Sequence, residues 1–438
     1  MTENTSGFTY SATATDPDSD TLTFSISGGP DADSFSLSNA ELSFAQTPDF
    51  ERPTDADRDN VYEIALQVSD GRGGADTLNL SISVTNDKEG IAVTRIATGF
   101  DNPVALGFLQ FRGVTGLEPQ GRIALAQSNG EIFDVDGTTG QQTLLTDVFN
   151  GQARGELLAL GFNNKGRVNF YSGLYGVVRE SNGRVFIQRY SRAPINEVEL
   201  LPSGSEPVSA KIFDGVDFSG TTDFFLTLSD ENGSFAQDLM SLRGKLISLE
   251  GQDPFSGASI SRGGFNTLIV GTGIRNSGGA GVIGNQILLS DQGEAVEHEL
   301  NFFDQNARPL DFGWPGREGT QGIGNNPPAS VVGPTIAYEF GTGLDQGTGV
   351  IFGGVFTGPD TELDNAYVFG DASGTIWSVP FDDLTSGFLL RPEQMDRRTS
   401  DFEPDVGAID SPVAFIVDDM DRLFILDSDG ELYRVDAS

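Results

Sequence analysis

Within residues 1–88, four stretches place an apolar side chain at every second position: TLTFSISG (21–28), ELSFAQT (41–47), VYEIALQVSD (61–70) and TLNLSISVT (77–85). A period of two marks a strand with one buried face, because successive side chains on a pleated chain point to opposite sides. Leu22, Phe24 and Ile26 thus share a face, as do Tyr62, Ile64, Leu66 and Val68. Asp- and Gly-rich runs between the stretches supply the turns. The pattern predicts a small Greek-key β-sandwich.

Residues 91–438 repeat a different unit. GRIALAQSNGEIFDVD (121–136), NAYVFGDASGTIWSVP (365–380) and DRLFILDSDGELYRVD (421–436) superimpose, each a strand, a tight turn with Gly, then a second alternating strand. Weaker copies lie around 166–176, 223–233 and 285–294. Such hairpins spread over the rest of the chain predict a six-bladed β-propeller, since a solenoid would repeat at closer and more regular intervals. AVTRIAT (92–98) is expected to complete the last blade and close the ring. The fold class is therefore all-β, with the sandwich at 1–88, the propeller at 89–438, and the polar TNDKEG (85–90) at the boundary.

Composition sharpens this picture. Gly 56 and Pro 20 punctuate the chain with turns, and Phe 32 leads the aromatics, as expected of many short strands. No apolar run is long enough to span a membrane as a helix. The opening MTENTSGF carries no basic-then-apolar leader, so the chain reads as a piece of a longer protein with neighbouring domains. The net charge of −38 repels nucleic acid and anionic membranes and attracts divalent cations. Residues 1–88 hold 16 acids and 4 bases, the rest 48 and 22, so charge is densest in the first segment. With no cysteine and one histidine, His298, thiolate chemistry is excluded and a metal site must be built from oxygen, which favours calcium.

DPDSD supplies Asp16, Asp18 and Asp20, and DADRD supplies Asp55, Asp57 and Asp59, three carboxylates at alternate positions in each. Calcium takes six to eight oxygens and suits such loops, although Asp-rich loops also form Asx-turns without metal. The ordered stretches TENT, DPDSD, DFE, VSDGRGG and VTND make residues 1–88 closely resemble a cadherin-like repeat. The resemblance implies that Glu3, Asp49, Glu51, Asn86 and Asp87 gather as calcium ligands at the end facing the next domain, and that Asp16 and Asp18 face a preceding one.

The second segment resembles the soluble glucose/sorbosone dehydrogenase family, sugar oxidases that use pyrroloquinoline quinone (PQQ) and calcium. The stretches that carry the likeness are ENGSFAQDLMSLRGKLISLEGQDPF (231–255), VGTGIRNSGG (270–279), SDQGEAVEHELN (290–301), DFGWPGREG (311–319) and FGGVFTGPDTELDNAYVFGDASGTIW (352–377). By resemblance, Arg275 and Asn276 would contact the quinone, and the carbonyl of Gly293, with Glu297 and Glu299 nearby, would hold its calcium. Glu294 stands where the family carries proline.

Two parts of the family's machinery are missing. Its general-base histidine falls in SGSEPVSAKIFDGVDF (203–218), which has none, and its paired C-terminal arginines fall in GAIDSPVAFIV (407–417), which has neither. Adjacent Arg397 and Arg398 would point to opposite faces of a strand. Removing a positioned base alone costs about 10²–10⁴ in rate. His298, on another hairpin, reads as a surface or hydrogen-bonded residue, and Trp314 and Trp377 as core.

The expectation is a calcium-binding extracellular or surface module of a larger bacterial protein, with no catalytic residue and no PQQ. Its propeller would be a binding, adhesion or structural head. The alternatives are a PQQ- and calcium-dependent aldose dehydrogenase, and a lectin-like head that binds glycans through the cleft at the ring's axis; copies of the chain itself are a further candidate partner, through exposed strand edges.

Overall fold

The computed structural model describes residues 1–438 except 110–120, 153–154, 163–173, 191–196, 217–221, 251–259, 263–264, 305–306, 308, 324–330, 358–361, 419 and 438. Two compact units emerge: Met1–Gly90 together with Asp396–Asp401, and Ile91–Met395 with Phe402–Ser438. No helix among the described residues is long and apolar enough to cross a membrane.

The first unit holds two three-stranded sheets. One orders Tyr10–Ser11, Glu41–Phe44 and Phe35–Ser38; the other orders Thr23–Gly28, Val61–Ser69 and Ala75–Ser83. The alternation in the sequence sets the register: Tyr62 faces Ile82, Ile64 faces Leu80, and Phe24 faces Val68. Phe35, Leu42, Tyr62, Ile64, Leu66 and Val84 form the buried core between the sheets. Each such side chain contributes about 1.5–3 kcal/mol on burial. The rings of Phe44 and Tyr62 meet edge to face at 4.9 Å.

The second unit is a succession of antiparallel sheets. Each begins with one of the strands Pro103–Phe108, Gly155–Phe162, Ala210–Val216, Ser277–Ile283, Val350–Phe356 and Pro412–Val417. Residues of all these strands line one shared cavity. The three aligned repeats become the hairpins Arg122–Gln127/Glu131–Asp136, Ala366–Asp371/Ile376–Pro380 and Leu423–Asp427/Leu432–Ala437. Their aligned glycines Gly130, Gly374 and Gly430 sit at φ of 91°, 87° and 88°, a left-handed turn position that other residues reach only at a cost.

The copy at 223–233 departs from the tight hairpin. Thr222–Leu228 pairs with Lys245–Glu250 across the long connection 229–244. The copy at 166–176 lies partly outside the described residues. The expected closure is present: Ile91–Ala97 pairs with Leu432–Ala437 and completes the sheet that begins at Pro412.

Neighbouring first strands approach closely. A Cβ on Gly278 would lie 1.8 Å from the Val350 carbonyl oxygen, so only glycine fits there. Apolar clusters fill the wedges between sheets, such as Leu288, Tyr338, Tyr367, Phe369 and Trp377.

Candidate functional site

In the second unit the turn 273–276 and the hairpin 291–297 are tied together through Asp291. Its buried carboxylate accepts the backbone N–H of Arg275 at 2.9 Å and of Asn276 at 2.7 Å. Burial pushes its pKa up to about 6 against the pull of those donors. Arg275 Nη1 donates to the carbonyls of Gln292 and Gly293, each at 3.1 Å, and the guanidinium lies over the Trp314 ring at 5.6 Å. Asn276 Nδ2 donates to Gln292 Oε1 at 2.9 Å. Both residues expected at a quinone thus brace the hairpin, with the buried Arg275 Nε left without a hydrogen-bond partner among the described residues, and Arg275 Nη1 sits on the Gly293 carbonyl expected at calcium.

The remaining expected ligands of this hairpin are bonded to neighbouring protein groups. Glu297 Oε2 accepts the N–H and hydroxyl of Thr320 at 2.6 and 2.7 Å, and its Oε1 accepts Arg391 Nη1 at 2.7 Å. Burial works against its charge, but these donors hold it below the usual carboxylate range. Burial and the nearby Asp291 push Glu299 well above that range, with Asn301 Nδ2 bonded to it at 3.0 Å.

His298 is fully buried, which corrects the surface half of its reading. Its Nδ1 accepts the Gly293 N–H at 3.0 Å and its Nε2 faces the Gly347 carbonyl at 3.0 Å. A carbonyl can only accept, so Nε2 carries the hydrogen and the ring is the neutral tautomer with no free lone pair. Burial lowers its pKa. Below the unfolded value near 6.5 the unfolded chain therefore binds the extra proton, and stability is lost as pH falls. His298→Gln is expected to flatten that acid limb in urea melts between pH 7 and 5; an unchanged slope would mean the ring already protonates in the fold. Trp314 and Trp377 are buried, as expected.

The first unit gathers acids more tightly. Glu3, Glu51 and Glu89 each offer a carboxylate oxygen, all within 4.8 Å of one another. Glu3 is buried and accepts the N–H of Asp87 at 3.0 Å and of Phe50 at 2.6 Å. Glu51 Oε1 accepts Asn86 Nδ2 at 3.1 Å, whereas its buried Oε2 has no hydrogen-bond partner. Arg398 enters beside them. It bonds Glu89, lies 3.2 Å from Asp401 and 3.5 Å from Asp396, and stands 3.8 Å from that orphaned Glu51 oxygen. Even with Arg52 also paired to Asp396, the carboxylates around Arg398 outnumber the guanidiniums among the described residues. Burial, followed by Asp401 and Glu3, drives the Glu51 pKa up to about 10 despite Arg398.

The other expected ligands shape the loops. Asp49 Oδ1 accepts the N–H groups of Glu51 and Arg52, each at 3.0 Å. Asn86 Oδ1 accepts the Lys88 N–H, and Asp87 Oδ1 accepts the Glu89 N–H at 2.9 Å. Among the acids, Asp49 and Asp87 stay outside the group formed by Glu3, Glu51 and Glu89.

Two more groups form. Asp16 and Asp20 meet Asp70, while Asp18 stays outside and only donates its N–H to Asp16. Asp55, Asp57 and Asp59 meet as expected, and the buried Oδ1 of Asp55 lacks a partner. Sequence reasoning missed Glu89, Asp70, Asp401 and Arg398. VSDGRGG pointed to Asp70 and TNDKEG ran up to Glu89, but nothing in the local sequence links Arg398 or Asp401 to Glu51.

No family model matches this chain, and no curated protein matches it. Solved structures do. The PQQ-bound aldose sugar dehydrogenase of Streptomyces coelicolor is 15% identical with a TM-score of 0.53, covering 80% of this chain and 98% of its own. The apo-form of the soluble aldose sugar dehydrogenase of Escherichia coli is 19% identical with a TM-score of 0.54, covering 80% and 100%. A glucose dehydrogenase is 17% identical with a TM-score of 0.54, covering 79% and 100%. At these identities the likeness is one of fold: the larger unit is a β-propeller of the kind seen in those dehydrogenases.

Proposed function

We propose that the chain is a calcium-stiffened extracellular module of a longer bacterial protein, in which a cadherin-like sandwich accompanies a six-bladed propeller that no longer oxidises sugars. The observation that carries the reading is the orphaned, buried Glu51 Oε2 lying among Glu3 and Glu89. Buried carboxylates at such spacing repel, and the strain is relieved either by a proton, as on Glu51 in the metal-free fold, or by a cation that displaces it. A hard divalent cation suits an all-oxygen set, with Asn86 and Asp401 adjacent. The Asp55 loop and the Asp16–Asp20–Asp70 group are further calcium candidates, the first with its own unpartnered oxygen. Calorimetric titration with calcium tests the reading. Heat that saturates in wild type and drops in Glu51→Gln supports it; absence of binding sinks it.

The non-catalytic half rests on the hairpin. Arg275 occupies the Gln292 and Gly293 carbonyls, Asn276 is bonded to Gln292, and His298 has both ring nitrogens engaged. These bonds support the non-catalytic reading, and no oxidative step is derived.

The second reading is a PQQ-dependent aldose dehydrogenase, favoured by the shared fold and by the retained Arg275 and Asn276. After incubation with PQQ and calcium, dye reduction over a panel of aldoses is expected to stay at the level of an Arg275→Ala control. Turnover lost in that variant would reinstate the enzyme.

A further inference from the structure

The propeller's shared cavity has a volume of about 260 Å³. Its walls are glycines and apolar side chains, among them Leu106, Phe108, Ile212, Phe352 and Phe415. Each strand that lines it ends its sheet, so one edge of every such strand, with its N–H and C=O groups, is left without a strand partner. Lys211 on Ala210–Val216 is the single ionisable residue among the described lining residues.

Lys211 makes no hydrogen bond or ion pair with any described residue, and its amine is not sealed into the wall, since the side chain stays partly accessible. Lys245 shows what this fold does with a structural lysine. It is fully buried, and its Nζ donates to the carbonyls of Phe235, Ala236 and Arg243 at 2.8, 2.8 and 2.6 Å. Lys211 has no such carbonyls, and burial alone lowers its proton affinity.

We propose that the axial cavity is a binding site for a small carboxylate with an apolar tail, its head paired with the Lys211 ammonium and its tail against the apolar walls. An unpaired ammonium among apolar walls is costly, and an anion that enters with it removes that cost. Charge attraction at long range is not the draw, because the chain's net charge of −38 repels anions. Recognition must therefore come from contact inside the cavity. Phosphate or sulfate would need several convergent charged donors, and the described lining offers one. Covalent capture of a carbonyl compound would need a neighbouring acid or base for its proton transfers, and the described lining holds none. The volume sits below the pockets that hold drug-sized ligands, about 300–1,000 Å³, which points to a short acid.

The test uses the full chain labelled with [13Cε]lysine. Its four lysines, Lys88, Lys165, Lys211 and Lys245, give four signals, and the one missing in Lys211→Met is Lys211. Lys211→Arg makes the same assignment should the methionine variant fail to fold. Butyrate, butyramide and chloride are titrated at fixed ionic strength. Expected is a saturable shift of the Lys211 signal with butyrate alone, and a rise of its titration midpoint by about one pH unit or more at saturation, equivalent to at least about tenfold tighter binding to the charged amine. No saturable shift with butyrate overturns the proposal. An equal response to butyramide overturns the ion pair, and an equal response to chloride overturns the carboxylate. The outcome does not depend on calcium binding in the first unit, which calorimetry reads separately.

Discussion

Calcium at about a hundred times its Kd is expected to raise the melting temperature of the Met1–Gly90 unit by roughly 10–20 °C. Ligand held only by the folded state adds about 2.7 kcal/mol at that excess, and each kcal/mol moves a domain of this size by about 4–8 °C. Glu51→Gln should respond in two opposite ways. In chelator it should melt higher than wild type, because an amide folds without the proton that Glu51 must take up beside Asp401 and Glu3. In calcium it should gain little. Differential scanning calorimetry of both proteins, with and without chelator, measures the pair of effects. A wild-type transition that ignores millimolar calcium would remove the basis of the proposed function.

The same residue gives a proton count. Glu51 titrates near 10 in the metal-free fold against about 4.5 when unfolded. The folded state therefore binds more protons between those values, and metal-free stability falls as pH rises through that window. Calcium requires the ionised form, so binding at pH 7 should release about one proton from Glu51. Calorimetry in two buffers of different ionisation enthalpy reads that number directly.

The second large effect concerns the propeller's inner ring. Gly278→Ala is expected to destabilise the larger unit by about 3 kcal/mol or more, at or beyond the upper end of ordinary overpacking. The added methyl would meet the Val350 backbone oxygen at 1.8 Å and Ser290 Oγ at 3.0 Å, and a backbone atom in a paired strand cannot step aside. Gly333→Ala serves as the control, because nothing lies within 4 Å of its position. Chemical melts of both variants should show a shifted midpoint for the first and little change for the second. Equal midpoints would mean that the first strands are spaced more loosely than the structure has them.

Strands and tight hairpins were legible in the sequence because both are local. Period-two alternation fixes a buried face, and Gly130, Gly374 and Gly430 each mark a turn that needs a left-handed residue. The loop Asp55–Asp57–Asp59 was legible for the same reason, since its carboxylates are set by adjacent backbone. What lay beyond reach is contact over long chain separations. Arg398 and Asp401 join Glu51 and Glu89 across most of the chain, and no spacing rule links them. The burial of His298 was likewise hidden, because its partner Gly347 comes from a different stretch of chain. Lys211 looked like one more polar residue in a strand. Only the closing of the ring leaves it facing an apolar space without a partner.

The strand pair that completes the last sheet sets Ile91 opposite Ala437 and Ala97 opposite Leu432. The start of the first of these strands and the end of the second thus lie at the same end of the pair. Tension applied to the two ends would peel the pair apart one rung at a time, like a zipper, instead of loading all its rungs together in shear.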